Sequence, residues 1–109
     1  MFVGLSKTQF DWNAGNKTKC RKHGVSIETI EALFGIDPLV FKDASHSGRE
    51  PRFDAIGIVN GRRLFVVFTM RSISNEIRIR PISARFTHKS EYDEHVERAE
   101  AVPAIQDRS

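Results

Sequence analysis

The sequence predicts an α+β domain in which an antiparallel sheet follows two helices and precedes a third. Three observations carry this prediction. Residues 55–59 and 62–70 are apolar runs around Asn60-Gly61. Both turn positions of a tight hairpin need positive φ, and Asn-Gly accepts it. Residues 27–34 place Ile27, Ile30 and Phe34 on one helical face with Leu33 beside them. Residues 76–82 alternate isoleucine and arginine as a half-buried strand does.

The remaining elements follow in order. Residues 8–12 alternate and predict a short strand. Residues 14–23 carry Lys17, Lys19, Arg21 and Lys22 without β-branched crowding and predict a helix, which Gly24 stops. Ser26 is suited to cap the next helix, and Gly35 ends it before a turn at Asp37-Pro38. Residues 39–43 predict a strand and residues 44–51 an exposed loop. Leu64 to Phe68 is apolar on both sides, as in a central strand. Pro81 lacks a ladder donor, so its strand is bulged or at an edge there. Residues 87–101 predict the last helix, and residues 102–109 a frayed tail. The expected core is Phe65, Val67, Ile77, Ile79, Ile56 and Ile58, with Ile30 and Phe34 against it and the helices on one face of the sheet. Trp12 is expected to anchor the core and Cys20 to be inert packing.

The chain has 109 residues, enough for one domain over 1–109 with a modest core. No apolar run approaches the roughly 20 residues of a membrane helix. The first residues lack a basic n-region and a long apolar stretch, which predicts no signal peptide and no membrane partner. The single cysteine cannot close an intrachain disulfide, so a reducing cytoplasm is the simplest location. Residues 1–89 hold 15 Lys and Arg against 8 Asp and Glu, a balance of +7; residues 90–109 hold 2 against 6, a balance of −4. A basic body suggests a polyanionic partner, and a solvated surface with a polar last helix is the plain alternative.

The sequence contains no glycine-rich phosphate loop, HExxH pair or nucleophile elbow. His23, His46, His88 and His95 are too dispersed to predict a metal site, and no cofactor is expected. Arg71, Arg78, Arg80 and Arg85, followed by His88 and Glu91, form the chemically suggestive set. RNA cleavage by 2′-hydroxyl attack needs a proton acceptor, a proton donor and fixed cations for the phosphorane charge. Arginine can bond two phosphate oxygens with its planar fork. His88, Glu91 and His95 are spaced by three and four, which puts them on one helical stripe. Alternating arginines are also the ordinary wet face of a strand, and His88 and Glu91 suit a helix start. Lys22 and His23 sit at a predicted helix C-terminus, where positive charge is favourable regardless of function.

Read in order, Phe10-Asp11-Trp12, Lys22-His23-Gly24-Val25-Ser26, Glu50-Pro51-Arg52-Phe53, Ile56-Gly57, Gly61-Arg62, Phe65-Val66-Val67-Phe68-Thr69-Met70-Arg71 and Arg80-Pro81-Ile82-Ser83-Ala84-Arg85 resemble the signature of BrnT-like proteins over residues 10–95. The resemblance implies a RelE-like ribonuclease fold and the role of toxin in a type II toxin–antitoxin pair. It also implies a ribbon-helix-helix antitoxin, with operator DNA bound only through the complex. By motif position it carries over Arg71, Arg80, Arg85 and Glu91 as functional residues. The full expected set is Arg71, Arg85, His88, Glu91 and His95 for catalysis, and Lys22, His23, Arg52, Arg78 and Arg80 for RNA binding. The chain departs from the family pattern in having His95 where many relatives have tyrosine. It also has Tyr92, Asp93 and Glu94 where many have a basic final helix. Three readings follow: an RNA-cleaving toxin, a non-catalytic protein that keeps the antitoxin contact, and a nucleic-acid-binding module acting alone.

Overall fold

The computed structural model describes residues 9–43 and 50–100. Helices α1 (Ala14–Arg21) and α2 (Ile27–Gly35) precede strands β1 (Leu39–Lys42), β2 (Phe53–Val59), β3 (Arg62–Ile73) and β4 (Glu76–Phe86). Helix α3 (Lys89–Glu100) follows the sheet. The strands pair antiparallel in the order β1-β2-β3-β4, so β3 lies inside the sheet, as its two-sided apolar run predicts.

Local chemistry sets the element ends. Asn13 caps α1 through a reciprocal capping box with Asn16, satisfying two otherwise orphaned N–H groups. The Ser26 hydroxyl caps α2 by accepting from the Thr29 N–H at 3.1 Å. Asn60 and Gly61 take φ of 52° and 77° between β2 and β3, the expected tight hairpin. Ser74 and Asn75 take φ of 52° and 66° and close a second hairpin between β3 and β4. The last strand, expected to end at 82, runs to Phe86. At its middle, Val67 faces Ser83 while Phe68 faces Pro81, leaving Ile82 as the extra residue of a bulge beside Pro81.

Several boundaries differ from expectation. The strand expected at 8–12 is a single parallel bridge from Phe10 to Ile79 on the outer edge of β4. The Asp11 N–H donates to the Ile79 carbonyl there at 2.8 Å. The last helix starts at Lys89 rather than 87. Most of the expected loop at 44–51, with His46, and the expected tail at 102–109 lie outside the described residues.

Of the expected core, Ile79, Ile30 and Phe34 lie in the main cluster and Ile56 and Val67 are buried on the other face of the sheet, while Phe65, Ile58 and Ile77 are not buried. Leu64, Val66, Phe68, Ala55, Ile79 and Ala84 are buried against Cys20, Val25, Ile30, Leu33 and Phe34 of the N-terminal segment. Phe65, Val67 and Ile56 alternate with these residues and point to the opposite face, where α3 lies. Ile58 is 52% exposed and Ile77 58% exposed, each near a hairpin end. Helices cover both faces of the sheet, not the single face expected, because a run that is apolar on both sides carries no phase information. Trp12 packs against the core and its indole N–H donates to Glu31 at 3.0 Å. Cys20 is fully buried, and desolvation pushes its thiol up to about 11, consistent with inert packing. Gly57 is a place of close approach: a Cβ there would lie 2.6 Å from Leu33 Cδ1, so α2 rests on bare β2 backbone.

Candidate active site

The α3 face of the sheet carries several of the expected site residues. Register places Arg85 beside Phe65, Arg80 beside Thr69 and Arg78 beside Arg71. Phe65, Thr69 and Arg71 are even numbers of residues apart on β3, so all three point to that face.

The first cluster forms where β4 passes into α3. Arg85 Nη1 donates to Glu91 Oε1 at 2.9 Å, and Arg85 Nη2 pairs with Glu91 Oε2. Glu91 Oε2 also meets His95 Nε2 at 3.2 Å, one helical turn along. Arg98 Nη1 lies 3.4 Å from His95 Nδ1. Arginine can only donate, so Nδ1 accepts and the ring proton sits on Nε2, facing Glu91. Beneath these groups Phe65 acts as a platform. The His95 ring stacks on it at 4.5 Å between centroids with 19° between planes, and the Arg85 guanidinium carbon lies 4.9 Å from its centroid. His95 is the buried residue of α3; Arg85 remains partly exposed.

The electrostatics follow from this geometry. Hydrogen bonding from Arg85 dominates the shift of Glu91, with the His95 bond adding to it, and the carboxyl is held down at about 2 against the opposing effect of burial. The same bond raises the Arg85 pKa. Glu91 is therefore a carboxylate at neutral pH and, while paired, a weak proton acceptor.

A second cluster surrounds a cleft of about 320 Å³. Arg71, Arg80, Arg52 and Lys19 line it together with Glu50 and Thr69. Arg71 Nε donates to Glu50 at 2.9 Å, and Arg80 Nη1 lies 3.3 Å from Asp11 Oδ2. Along β3, six residues separate the register positions of Arg71 and Arg85. At ~3.3 Å per residue that is a span of about 20 Å, so these two arginines do not meet on one phosphate.

The other expected residues are dispersed. His88 precedes α3, where its carbonyl accepts from the Tyr92 N–H at 2.9 Å. It lines a separate cleft of about 290 Å³ with Arg62 and Arg63, and Arg62 lies 3.5 Å over the Phe86 ring. The expected stripe thus brings together Glu91 and His95, with His88 outside it. Lys22 and His23 are exposed just beyond α1. Arg78 pairs with Glu76 at 3.3 Å near the β3–β4 turn.

Sequence reasoning missed the platform role of Phe65, the Arg98 contact and a buried acid pair. Asp54 is 4% exposed and its carboxyl hydrogen-bonds Asp43. Burial, then the Asp43 bond and charge, push Asp54 up to about 8, opposed by Arg98. An aspartate inside the apolar run 53–59 was the available signal, since a buried carboxyl needs a proton or a partner.

This is a small α+β protein whose sheet presents an arginine–carboxylate–histidine network and a separate basic cleft, the equipment of a protein that handles a polyanion. The chain belongs to the BrnT family: the family described as "Ribonuclease toxin, BrnT, of type II toxin-antitoxin system" matches residues 12–91. That family consists of ribonuclease toxins and implies an RNA substrate and an antitoxin partner. No match to a curated protein accompanies it. Among the described residues, no helix is long and apolar enough to cross a membrane.

Proposed function

We propose that the chain cleaves RNA without a metal ion, at the Arg85–Glu91 pair. The observation that carries this reading is the two-point contact of the Arg85 fork with a carboxylate. A phosphodiester offers the same pair of oxygens to the same planar fork. When phosphate takes the fork, Glu91 loses the cation that depresses its pKa and becomes a stronger base. Glu91 then accepts the 2′-hydroxyl proton as that oxygen bonds to phosphorus. The bond from phosphorus to the 5′ oxygen breaks, and a solvent proton completes the leaving hydroxyl. The products are a 2′,3′-cyclic phosphate and a 5′-hydroxyl. Arg85 stabilises the phosphorane charge. His95, buried against Phe65, holds Glu91 by the Nε2 bond.

The partner under this reading is a ribbon-helix-helix antitoxin that covers the basic sheet face, and operator DNA is reached only through that complex. The site of action is the cytoplasm. The second reading is a non-catalytic protein that keeps the antitoxin contact, favoured by the mutual saturation of Arg85 and Glu91. Expression without an antitoxin separates the two. Growth arrest that Arg85→Ala relieves, with the variant accumulating to the same level, supports the ribonuclease. Absence of arrest by the wild-type chain supports the second reading.

A further inference from the structure

We infer that the cleft between α1, β3 and β4 is a remote subsite for backbone phosphates of single-stranded RNA, engaged through Lys19 and Arg52. This inference rests on the RNA reading above and assigns its substrate a minimum length. Four cations, Lys19, Arg52, Arg71 and Arg80, line or flank the cleft, against the carboxylates of Glu50 and Asp11. Those two carboxylates are already committed: Glu50 to Arg71 at 2.9 Å, and Asp11 to Arg80 at 3.3 Å and Arg71 at 4.0 Å. Among the described residues Lys19 and Arg52 have no carboxylate partner, so the cleft keeps the charge of two uncompensated cations.

The cleft is also held in shape. The Thr69 hydroxyl donates to the Pro51 carbonyl at 2.6 Å, and the Arg52 carbonyl accepts from the Asp43 N–H at 2.9 Å. These bonds fix the backbone on both sides of Arg52. Helix α1 presents Gly15 and Lys19 to the same space.

Position gives the subsite its meaning. Thr69 and Arg71 share a sheet face with the Arg85 site, four and six residues along β3 from Phe65. The separation is about 13–20 Å. One strand of duplex DNA advances about 3.4 Å per phosphate, and at a similar rise one RNA strand spans both sites with about four to six nucleotides. Between them β4 presents Ser83, which pairs with Val67, and the bulged Ile82 at the cleft wall.

The test is equilibrium binding of a ten-nucleotide 2′-O-methyl RNA, which lacks the attacking hydroxyl and cannot be cut by this chemistry. Affinity is measured by fluorescence anisotropy across a range of salt. Lys19→Gln with Arg52→Gln is expected to flatten the slope of log affinity against log salt by about 1.4, or ~0.7 for each phosphate that is no longer neutralised. Lys17→Gln with Lys42→Gln removes the same charge elsewhere and is expected to leave the slope unchanged. Thermal unfolding verifies that both double variants fold. A wild-type slope in the first pair, an equal flattening in the second, or no RNA binding by the wild-type chain would overturn the subsite. Cleavage of unmodified RNA is scored separately. A flattened slope without any cleavage sinks the catalytic reading and leaves the subsite standing; cleavage with an unflattened slope does the reverse.

Discussion

Arg85 on β4 and Glu91 on α3 close a two-point ion pair across the short link that joins strand to helix. The pair fastens the first turn of α3 to the sheet and, in the proposed mechanism, occupies the arginine fork that would hold phosphate. Under the proposed mechanism, this one contact would couple stability to function.

The pair gives stability a defined acid limit. Glu91 is lowered from 4.5 to about 2 in the folded chain, so its contribution is complete above pH 4.5 and declines as pH falls toward 2. Glu91→Gln removes that dependence. Unfolding midpoints measured from pH 5 to pH 2 should fall less steeply in the variant than in the wild type.

Asp54 acts with the opposite sign. Its folded pKa of about 8 lies above the ordinary 3.8, so the folded chain holds a proton that the unfolded chain releases between those values. Its contribution is complete below pH 3.8 and declines as pH rises toward 8. Asp54→Asn keeps a donor toward Asp43 without the ionisation. The variant's melting temperature should exceed that of the wild type at pH 8.5, and the gap should close on titration to pH 4.

The contact of α2 with β2 is intolerant of added volume. Gly57→Ala places a methyl 2.6 Å from Leu33 Cδ1 and should cost about 1–3 kcal/mol by urea unfolding. Gly57→Ala combined with Leu33→Ala should destabilise by less than the sum of the two single changes, because the second removes the clash.

Phe65 and Phe68 separate the two faces of the sheet. Phe68 is fully buried and edge-on to Phe34 at 5.0 Å, so Phe68→Ala should destabilise the fold by about 3–5 kcal/mol. Phe65 is only partly buried and supports His95 and Arg85. Phe65→Leu should therefore cost less stability than Phe68→Ala while lowering kcat of RNA cleavage more than it changes KM.

What was legible in the sequence was local. Ser26 and Asn60-Gly61 state their roles through their own backbone preferences, and the structure places both as expected. The phase of β3 was not legible, because Leu64 to Phe68 is apolar at every position and the bulge at Ile82 shifts register with no mark beyond Pro81. Arg85 and Glu91 stand out in the sequence by residue type and spacing, and the family resemblance carries them over too; their pairing needs the strand to run on to Phe86 and the helix to begin at Lys89. Lys19 and Arg52 are far apart in sequence and meet only because α1 lies along β4 while Arg52 enters β2. The Asp43–Asp54 pair likewise depends on the β1–β2 register.

The central claim, metal-free cleavage at Arg85, is tested most directly by the ends of the RNA products. Purified chain, free of any antitoxin, is incubated with RNA in EDTA, and the new 3′ ends are analysed by mass spectrometry. Metal-free attack by the 2′-hydroxyl predicts 2′,3′-cyclic phosphate ends, undiminished by the chelator, formed about 10²–10³-fold more slowly by Arg85→Ala. Cleavage abolished by EDTA, or Arg85→Ala cutting at the wild-type rate, would contradict it.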